Sequence, residues 1–298
     1  MQRIFIVGCP RSGTTLVQAM LARHPAVLTL PETAFFEHLY GNLEWRWGDS
    51  GARQRRRLRQ RLGLAHQQAR ATLGRLRRQL PSLRGLPYWP LRTASCARRF
   101  IGLLDASARA EGRTAWIEKT PCHLLYIPEI EQHLPDAHFV HVIRHGEDVL
   151  ASITDASLRY EDQAAFSGGL AKWSRRWNRA AMIHGMHAAS PRHHFVFLDD
   201  LVRDTQREWR SLCAFLGLDP RVELESSRVQ SIADLHEEPW KHEAVSGQLG
   251  RPRRKAENLF GPQTREWLLR QLTPYEELRR ECRNGGRHAE AAVRQLRR

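Results

Sequence analysis

One loop near the start of the chain limits what it can fold into more than any other feature. A short apolar run, Arg3-Ile4-Phe5-Ile6-Val7, ends in Gly8-Cys9-Pro10-Arg11-Ser12-Gly13-Thr14-Thr15, after which Leu16, Ala19 and Met20 recur at helical spacing. The pattern reads as strand, glycine-bearing loop, helix. Gly8 and Gly13 stand at the spacing of a loop whose backbone N–H groups, with the start of the following helix, cradle phosphate oxygens. A plain strand-to-helix turn is the bland reading of the same residues.

Thr14 occupies the position at which ATP and GTP binders carry lysine, and Arg11 is the only cation in the loop. A later apolar run ends in Arg144-His145-Gly146, where a triphosphate enzyme would hold an acidic magnesium ligand. These two departures argue against an NTPase. A nucleotide or nucleoside kinase remains a rival reading, and it requires binding of Mg-ATP.

Further short runs at 115–117, 138–143 and 194–198 are each followed by a turn signal and a helical pattern, and Val27-Leu28-Thr29-Leu30 adds another after the first helix. Strands alternating with helices predict an α/β fold with a P-loop-like, doubly wound parallel sheet flanked by helices. Helical patterns span 146–157, 168–188, 203–217 and 262–282, the third stopping at Gly217. At 298 residues, with 41% hydrophobic and 27% charged content, the chain suits one domain over 1–298 and excludes a disordered or fibrous protein.

The formal net charge of +15 is concentrated in one place. From Ser50 to Leu104 there is no Asp or Glu, while fourteen arginines fall in the same stretch. Leu58, Leu62, Ala65, Ala69, Leu73, Leu76 and Leu80 follow a three-and-four spacing there, which predicts an amphipathic helix over 52–80, or two broken near Gly63 or Gly74. Residues 42–100 are read as an inserted, arginine-rich helical cap on the acceptor side, and 287–298 as a basic C-terminal tail. So local a cationic segment points to an anionic partner: an acidic glycan, a phosphorylated or glycolipid headgroup, or an anionic surface met through 50–104. A solvated helix face is the alternative. Non-specific nucleic-acid binding is a rival from another class, but without aromatic interleaving or a reading helix no specific nucleic acid is expected.

Cys9, Cys96, Cys122, Cys213 and Cys282 are scattered and lack Cys-x-x-Cys spacing, so free thiols are expected and no structural zinc site is. No stretch approaches the roughly 18 apolar residues of a membrane span. The first apolar run is too short for a signal peptide, so a cytoplasmic protein is expected.

A second constellation, Arg144-His145-Gly146-Glu147-Asp148-Val149-Leu150-Ala151-Ser152, follows the run at 138–143. Arg144 would stand at a strand's carboxyl edge and Ser152 about two turns into the next helix, where both can meet one phosphate. Taken together, the two loops resemble those of the sulfotransferases that use 3′-phosphoadenosine-5′-phosphosulfate (PAPS). Pro10-Arg11-Ser12-Gly13-Thr14-Thr15 is similar to their 5′-phosphosulfate loop, and Arg144 with Ser152 to their 3′-phosphate site. Leu198-Asp199-Asp200-Leu201 and Phe215-Leu216-Gly217-Leu218 are similar to the family's Tyr-Glu-Asp-Leu and Phe-Leu-Gly-Leu segments, with Leu198 in place of the tyrosine. Bacterial and tyrosylprotein sulfotransferases share Pro-Arg-Ser-Gly-Thr-Thr-Leu and a Glu-Thr about 20 residues later. The family's late basic glycine loop is loosely echoed by Ser246-Gly247 and Gly250-Arg251-Pro252-Arg253-Arg254, and the arginine-rich cap does not align.

The resemblance implies PAPS as sulfuryl donor and no metal. Arg11 and the Ser12–Thr15 amides would hold the 5′ end, Arg144, Ser152 and Arg251 the 3′-phosphate, and Lys119 would face the sulfuryl group. Lys119 is one of only four lysines against 43 arginines, which suits a compact ammonium at a place a planar guanidinium cannot fill. Removal of the acceptor's proton falls to Glu32, in Pro31-Glu32-Thr33, or to His123, the nearest histidine to the place where phenol and steroid sulfotransferases carry theirs, which is Pro121 here. Trp173 and Trp177 share a helical face and read as core or acceptor-pocket wall. The acceptor would be a small molecule, glycan or lipid, sulfated on a hydroxyl rather than an amine.

Overall fold

The computed structural model describes residues 1–54, 62–79, 92–160, 166–221 and 254–296. Strands β1 (Gln2–Gly8), β2 (Val27–Thr29), β3 (Ala115–Lys119), β4 (His138–Ile143) and β5 (His193–Phe197) form one sheet in the order β2-β3-β1-β4-β5, and every neighbouring pair is parallel. Helices follow in chain order: α1 (Thr14–Ala22), α2 (Phe35–Tyr40), α3 (Leu43–Trp47), α4 (Gln67–Gln79), α5 (Thr93–Ala110), α6 (Ile127–His133), α7 (Gly146–Arg159), α8 (Gly169–Met186), α9 (Leu198–Arg203), α10 (Thr205–Phe215), α11 (Lys255–Leu259), α12 (Pro262–Gln271) and α13 (Tyr275–Leu296). A 3₁₀ helix, Pro121–Tyr126, leads into α6.

Successive side chains of a strand point to opposite faces, and β1 shows why both faces are covered. Ile4 and Ile6 join Ile117, Val140, Val142 and Val196 against Val17 and Leu21 of α1, Leu201 of α9 and Leu212 of α10. Phe5 and Val7 join Trp116, Phe139 and Phe197 on the other face, with α2, α5 and α8 packed above. The Phe5 ring lies 5.5 Å from Trp116, 5.7 Å from Phe139 and 6.0 Å from Phe36, centroid to centroid. Truncating Phe5 to alanine in so filled a setting costs about 3–5 kcal/mol.

The strand order also fixes where chemistry can occur. From central β1 the chain steps out to β2, returns to β3 beside β1, then crosses to β4 and β5 on the other side. At such a reversal the connections leave a crevice beyond the carboxyl ends of the strands. The loop after β1, the end of β3 and the end of β4 border it.

Several boundaries differ from the sequence reading, each for a local reason. The C-terminal pattern expected as one helix over 262–282 is two, because Pro274 offers no N–H and disfavours helix at Thr273; the Thr273 amide donates instead to Asn178 Oδ1 at 2.8 Å. α13 carries its backbone on to Leu296. The pattern expected over 203–217 is α10, which starts at Thr205 because the Asp204 carboxylate caps it by accepting from the Arg207 amide at 3.1 Å; the short helix α9 precedes it. In the arginine-rich stretch, α4 runs through Gly74 without a break, whereas Gly63 has φ 66° and stands in a turn outside any helix. Ala65, Ala69, Leu73 and Leu76 are buried in the main core, and Leu62 is 66% exposed. Leu58, Leu80, Pro81, Pro87 and Pro90 lie outside the described residues.

All five cysteines are free, and four of them are buried. Burial pushes the thiols of Cys9, Cys96, Cys213 and Cys282 up to about 12. A chain of buried histidines links α8 to β4 and β5. His141 Nδ1 is 2.8 Å from His184 Nδ1, and His141 Nε2 is 2.8 Å from His193 Nδ1. Among the described residues, no helix is long and apolar enough to cross a membrane and no cluster of His, Cys, Asp or Glu is arranged to hold a metal.

Candidate active site

β1 delivers its loop with little room to spare. A Cβ on Gly8 would stand 2.5 Å from the Val142 carbonyl oxygen of β4, so only glycine lets the two strands run this close here. Arg11 has φ 72° and Gly13 φ 99°, left-handed conformations that swing the chain back into α1. Leu198 packs over Gly13, where a Cβ would meet its methyl at 3.0 Å. Leu198 thus serves as an apolar lid on the loop. α1 begins without a side-chain cap or an acidic residue in its first turn, so its leading amides keep their affinity for an anion.

Lys119 ends β3, and its side chain is completely buried. Its ammonium donates to Thr15 Oγ1 at 3.3 Å and pairs with Glu32, whose side chain stays 24% exposed. A contact between these three residues joins the loop after β1, the strand edge and the Pro31-Glu32-Thr33 turn.

That turn is held from below by residues the sequence reading passed over. Gln18, fully buried on α1, donates from Nε2 to Thr29 Oγ1 and to the Leu30 carbonyl, both at 2.8 Å. Glu118 points to the opposite sheet face from Lys119. Its Oε1 accepts from the Thr33 and Thr120 hydroxyls at 2.7 Å each, and its Oε2 from His123 Nδ1 at 2.7 Å. The Phe36 amide donates to His123 Nε2 at 3.1 Å. Burial alone would push the Glu118 carboxyl up, but the imidazole and the three hydrogen bonds outweigh it and hold the group below the usual carboxylate range.

These contacts engage both ring nitrogens of His123, which is 0% exposed. Burial disfavours the charged imidazole, but the Glu118 carboxylate outweighs burial and raises His123, so the second candidate base is held between Glu118 and the Phe36 amide. The short-range signal was present as Glu118-x-x-x-x-His123, but the partners Thr33 and Phe36 are more than 80 residues away in sequence.

Arg11 and Ser152, read as parts of separate phosphate sites, touch: Arg11 Nε donates to Ser152 Oγ at 3.1 Å. The Arg11 guanidinium also lies 5.8 Å from the centre of the Phe166 ring. Arg144 follows β4 and is half-buried beside Asp148, Asp199 and Tyr275; burial lowers its guanidinium, against those three groups. Trp177 Nε1 donates to the Arg144 carbonyl and Trp173 Nε1 to that of Phe166, both at 3.3 Å, so both tryptophans support the crevice from within the core. Arg251, Ser246 and Gly247 lie outside the described residues. Just beyond them, Ala256 N donates to Asp148 Oδ1 at 2.9 Å, which docks α11 on α7.

On the far side of the crevice, Arg176 Nε donates to Asp49 Oδ1 at 2.9 Å, with a second contact between the same side chains. The guanidinium stacks over Trp173 at 4.8 Å and Trp47 at 5.8 Å. This clamp fastens the start of the arginine-rich stretch to α8.

A parallel sheet with an anion-ready loop at its switch point, joined to a buried lysine, is a P-loop-like arrangement. Residues 3–222 match the model of the sulfotransferase family, and the chain belongs to that family. Among solved structures it is similar to the sulfotransferase domain of the curacin biosynthetic pathway, with 17% identity, 87% of this chain and 95% of that one covered, and a TM-score of 0.52. It is also similar to the sulfotransferase domain of the Synechococcus PCC 7002 olefin synthase, with 20% identity, 87% and 93% coverage and a TM-score of 0.47. A third likeness is to a sulfotransferase from Alicyclobacillus acidocaldarius, with 16% identity, 86% and 99% coverage and a TM-score of 0.49. Comparison with curated proteins gives no match.

Proposed function

We propose that this sulfotransferase takes its sulfuryl group from PAPS and passes it in line to an acceptor hydroxyl, with an amine as the less favoured acceptor. The observation that carries the reading is the contact of Lys119 with both Thr15 and Glu32. It brings one cation and one carboxylate to the mouth of the phosphate loop, the two charges that in-line transfer needs.

PAPS supplies the sulfuryl group and a bisphosphate leaving group. The residues fit such an anion: the uncapped start of α1 and Arg11 suit the 5′ end, and Arg144 with Ser152 suits a 3′-phosphate, with Arg251 as a further cation. Pro10 and the Ser12–Thr15 loop shape the cradle. Lys119 stabilises charge that grows on the sulfuryl oxygens, and Glu32, the exposed member of its pair, takes the acceptor's proton. His123 positions Glu32 through Glu118, Thr33 and the Phe36 amide. Residues 42–100 form the acceptor side, where the arginines favour an anionic small molecule, glycan or lipid.

Thermal stabilisation by 3′-phosphoadenosine-5′-phosphate (PAP), compared with ADP and Mg-ATP, tests the donor. PAP is expected to stabilise the wild type selectively and Arg144→Ala far less. Equal or greater stabilisation by Mg-ATP would favour a kinase instead.

A further inference from the structure

A cavity of about 1040 Å³ is bordered by α2, α3, the loop after α3 and the start of α4. Small-molecule sites span roughly 300–1,000 Å³, so this one has room for a ligand of more than one ring. Its polar lining includes His38 of α2, Glu44 of α3, Arg53 of the loop, and His66 and Gln68 at the start of α4. The packing of α3 explains what it turns to the cavity. Trp47 is buried beneath the Arg176 guanidinium and Arg46 pairs with Glu129, so these two residues hold α3 to the body of the protein. Glu44 and Trp45 are left to the cavity, with Trp45 42% exposed.

The hydrogen bonds around His38 fix which of its nitrogens faces a ligand. Nδ1 lies 3.0 Å from Thr72 Oγ1, and that hydroxyl gives its own hydrogen to the Gln68 carbonyl at 3.1 Å. The hydroxyl therefore accepts from Nδ1–H, and Nε2 keeps its lone pair. Burial, then Arg75, His123 and His66, lowers His38 and keeps the ring neutral. Among the described residues, no group engages Nε2, and the Glu44 and Arg53 side chains pair neither with each other nor with another residue. A carboxylate, an imidazole lone pair and a guanidinium thus border one space with their hydrogen-bonding capacity unused.

These groups discriminate between ligands. A lipid chain needs a mostly apolar lining, whereas Leu43, Trp45 and Ala52 are the apolar side chains among the described ones here. Glu44 repels a polyphosphate. A sugar suits every group: its hydroxyls donate to Glu44 and to His38 Nε2, its apolar ring face lies on Trp45, and a carboxylate meets the planar fork of Arg53. We propose that this cavity is a saccharide subsite, and that the acceptor is an acidic oligosaccharide held by His38, Glu44, Trp45 and Arg53. The proposal rests on the reading of residues 42–100 as the acceptor side. His38 follows Glu32 by six residues, which sets it within about 20 Å of that carboxylate, a span that a few sugar rings cover.

Calorimetric titration of the full chain with a hyaluronan tetrasaccharide, with cellotetraose and with dodecyl phosphate tests the proposal. The hyaluronan tetrasaccharide should bind the wild type most tightly of the three. Trp45→Ala should weaken both saccharides about tenfold. Arg53→Gln should weaken the acidic one by about tenfold or more and leave cellotetraose unchanged. Both side chains are exposed, so each variant should melt with the wild type; Glu44→Gln, also at an exposed position, is a third variant expected to weaken both saccharides. Radiolabelled PAPS should pass its label to the bound tetrasaccharide. No binding of either saccharide, binding undiminished in Trp45→Ala, or tighter binding of dodecyl phosphate overturns the subsite. A bound tetrasaccharide that gains no label while PAP stabilises the protein overturns its role as acceptor. If PAP fails to stabilise the wild type, the donor reading falls instead, and the titrations still decide the subsite.

Discussion

Arg11 leaves the loop after β1 and donates from Nε to Ser152 Oγ on α7, 141 residues later, at 3.1 Å. The bond ties the loop to the helix that follows β4, so residues assigned to opposite ends of one nucleotide are mechanically joined. Losing a hydrogen bond from a charged group costs about 1.5–3 kcal/mol. Ser152→Ala should therefore weaken PAP about 10- to 100-fold by calorimetric titration, and Arg11→Ala by more, since it also removes a charge from the cradle.

On the proposed reading, Lys119 serves turnover rather than donor binding. Lys119→Met should leave stabilisation by PAP nearly intact while slowing PAP release from PAPS by about 100-fold or more, the scale of losing one donor aimed at developing charge. Lys119→Arg should not rescue it, because the Lys119 side chain has no exposed surface and no room for a guanidinium.

The Glu118–His123 pair should behave as a foundation of the site. Both side chains are 0% exposed. Removing one partner of such a pair costs about 3–5 kcal/mol, so His123→Ala should lower the urea midpoint sharply. His123→Asn, which can still donate to Glu118, should recover part of the loss.

Asp49 makes a similar prediction at the edge of the arginine-rich stretch. Asp49→Ala leaves Arg176, whose side chain is 9% exposed, without its main counter-ion. A loss of about 3–5 kcal/mol is expected by urea unfolding.

The histidine chain sets a pH dependence. Burial, with help from neighbouring histidines, lowers His184 and His193 to about 3 and His141 well below its ordinary value. The unfolded chain takes up these protons near pH 6.5 while the native one refuses them. Stability is therefore full above about pH 6.5 and falls as pH drops from there towards about 3. Urea midpoints across that window should show the slope, and His184→Phe should flatten it.

The fold was legible wherever side-chain periodicity was local. The β1 run, the loop glycines and Arg144 after β4 all announce themselves within a few residues, and order along the chain then implies a parallel sheet. Lys119 and Glu32 could be named one by one, but nothing in their spacing says that they touch. Glu118 was hidden because, besides Thr120 and His123 close by, it is held by Thr33, 85 residues earlier. The division of the last pattern at Pro274 was written in the sequence and outweighed by the apolar spacing on either side.

The buried thiols give the protein a clock of its own. With Cys9, Cys96, Cys213 and Cys282 enclosed and pushed up to about 12, scarcely any thiolate meets an alkylating reagent while the sheet is intact. Each labelling event then marks an opening, and because Cys9 sits in the loop after β1, Cys96 on α5, Cys213 on α10 and Cys282 on α13, the order in which they label reports which layer lets go first.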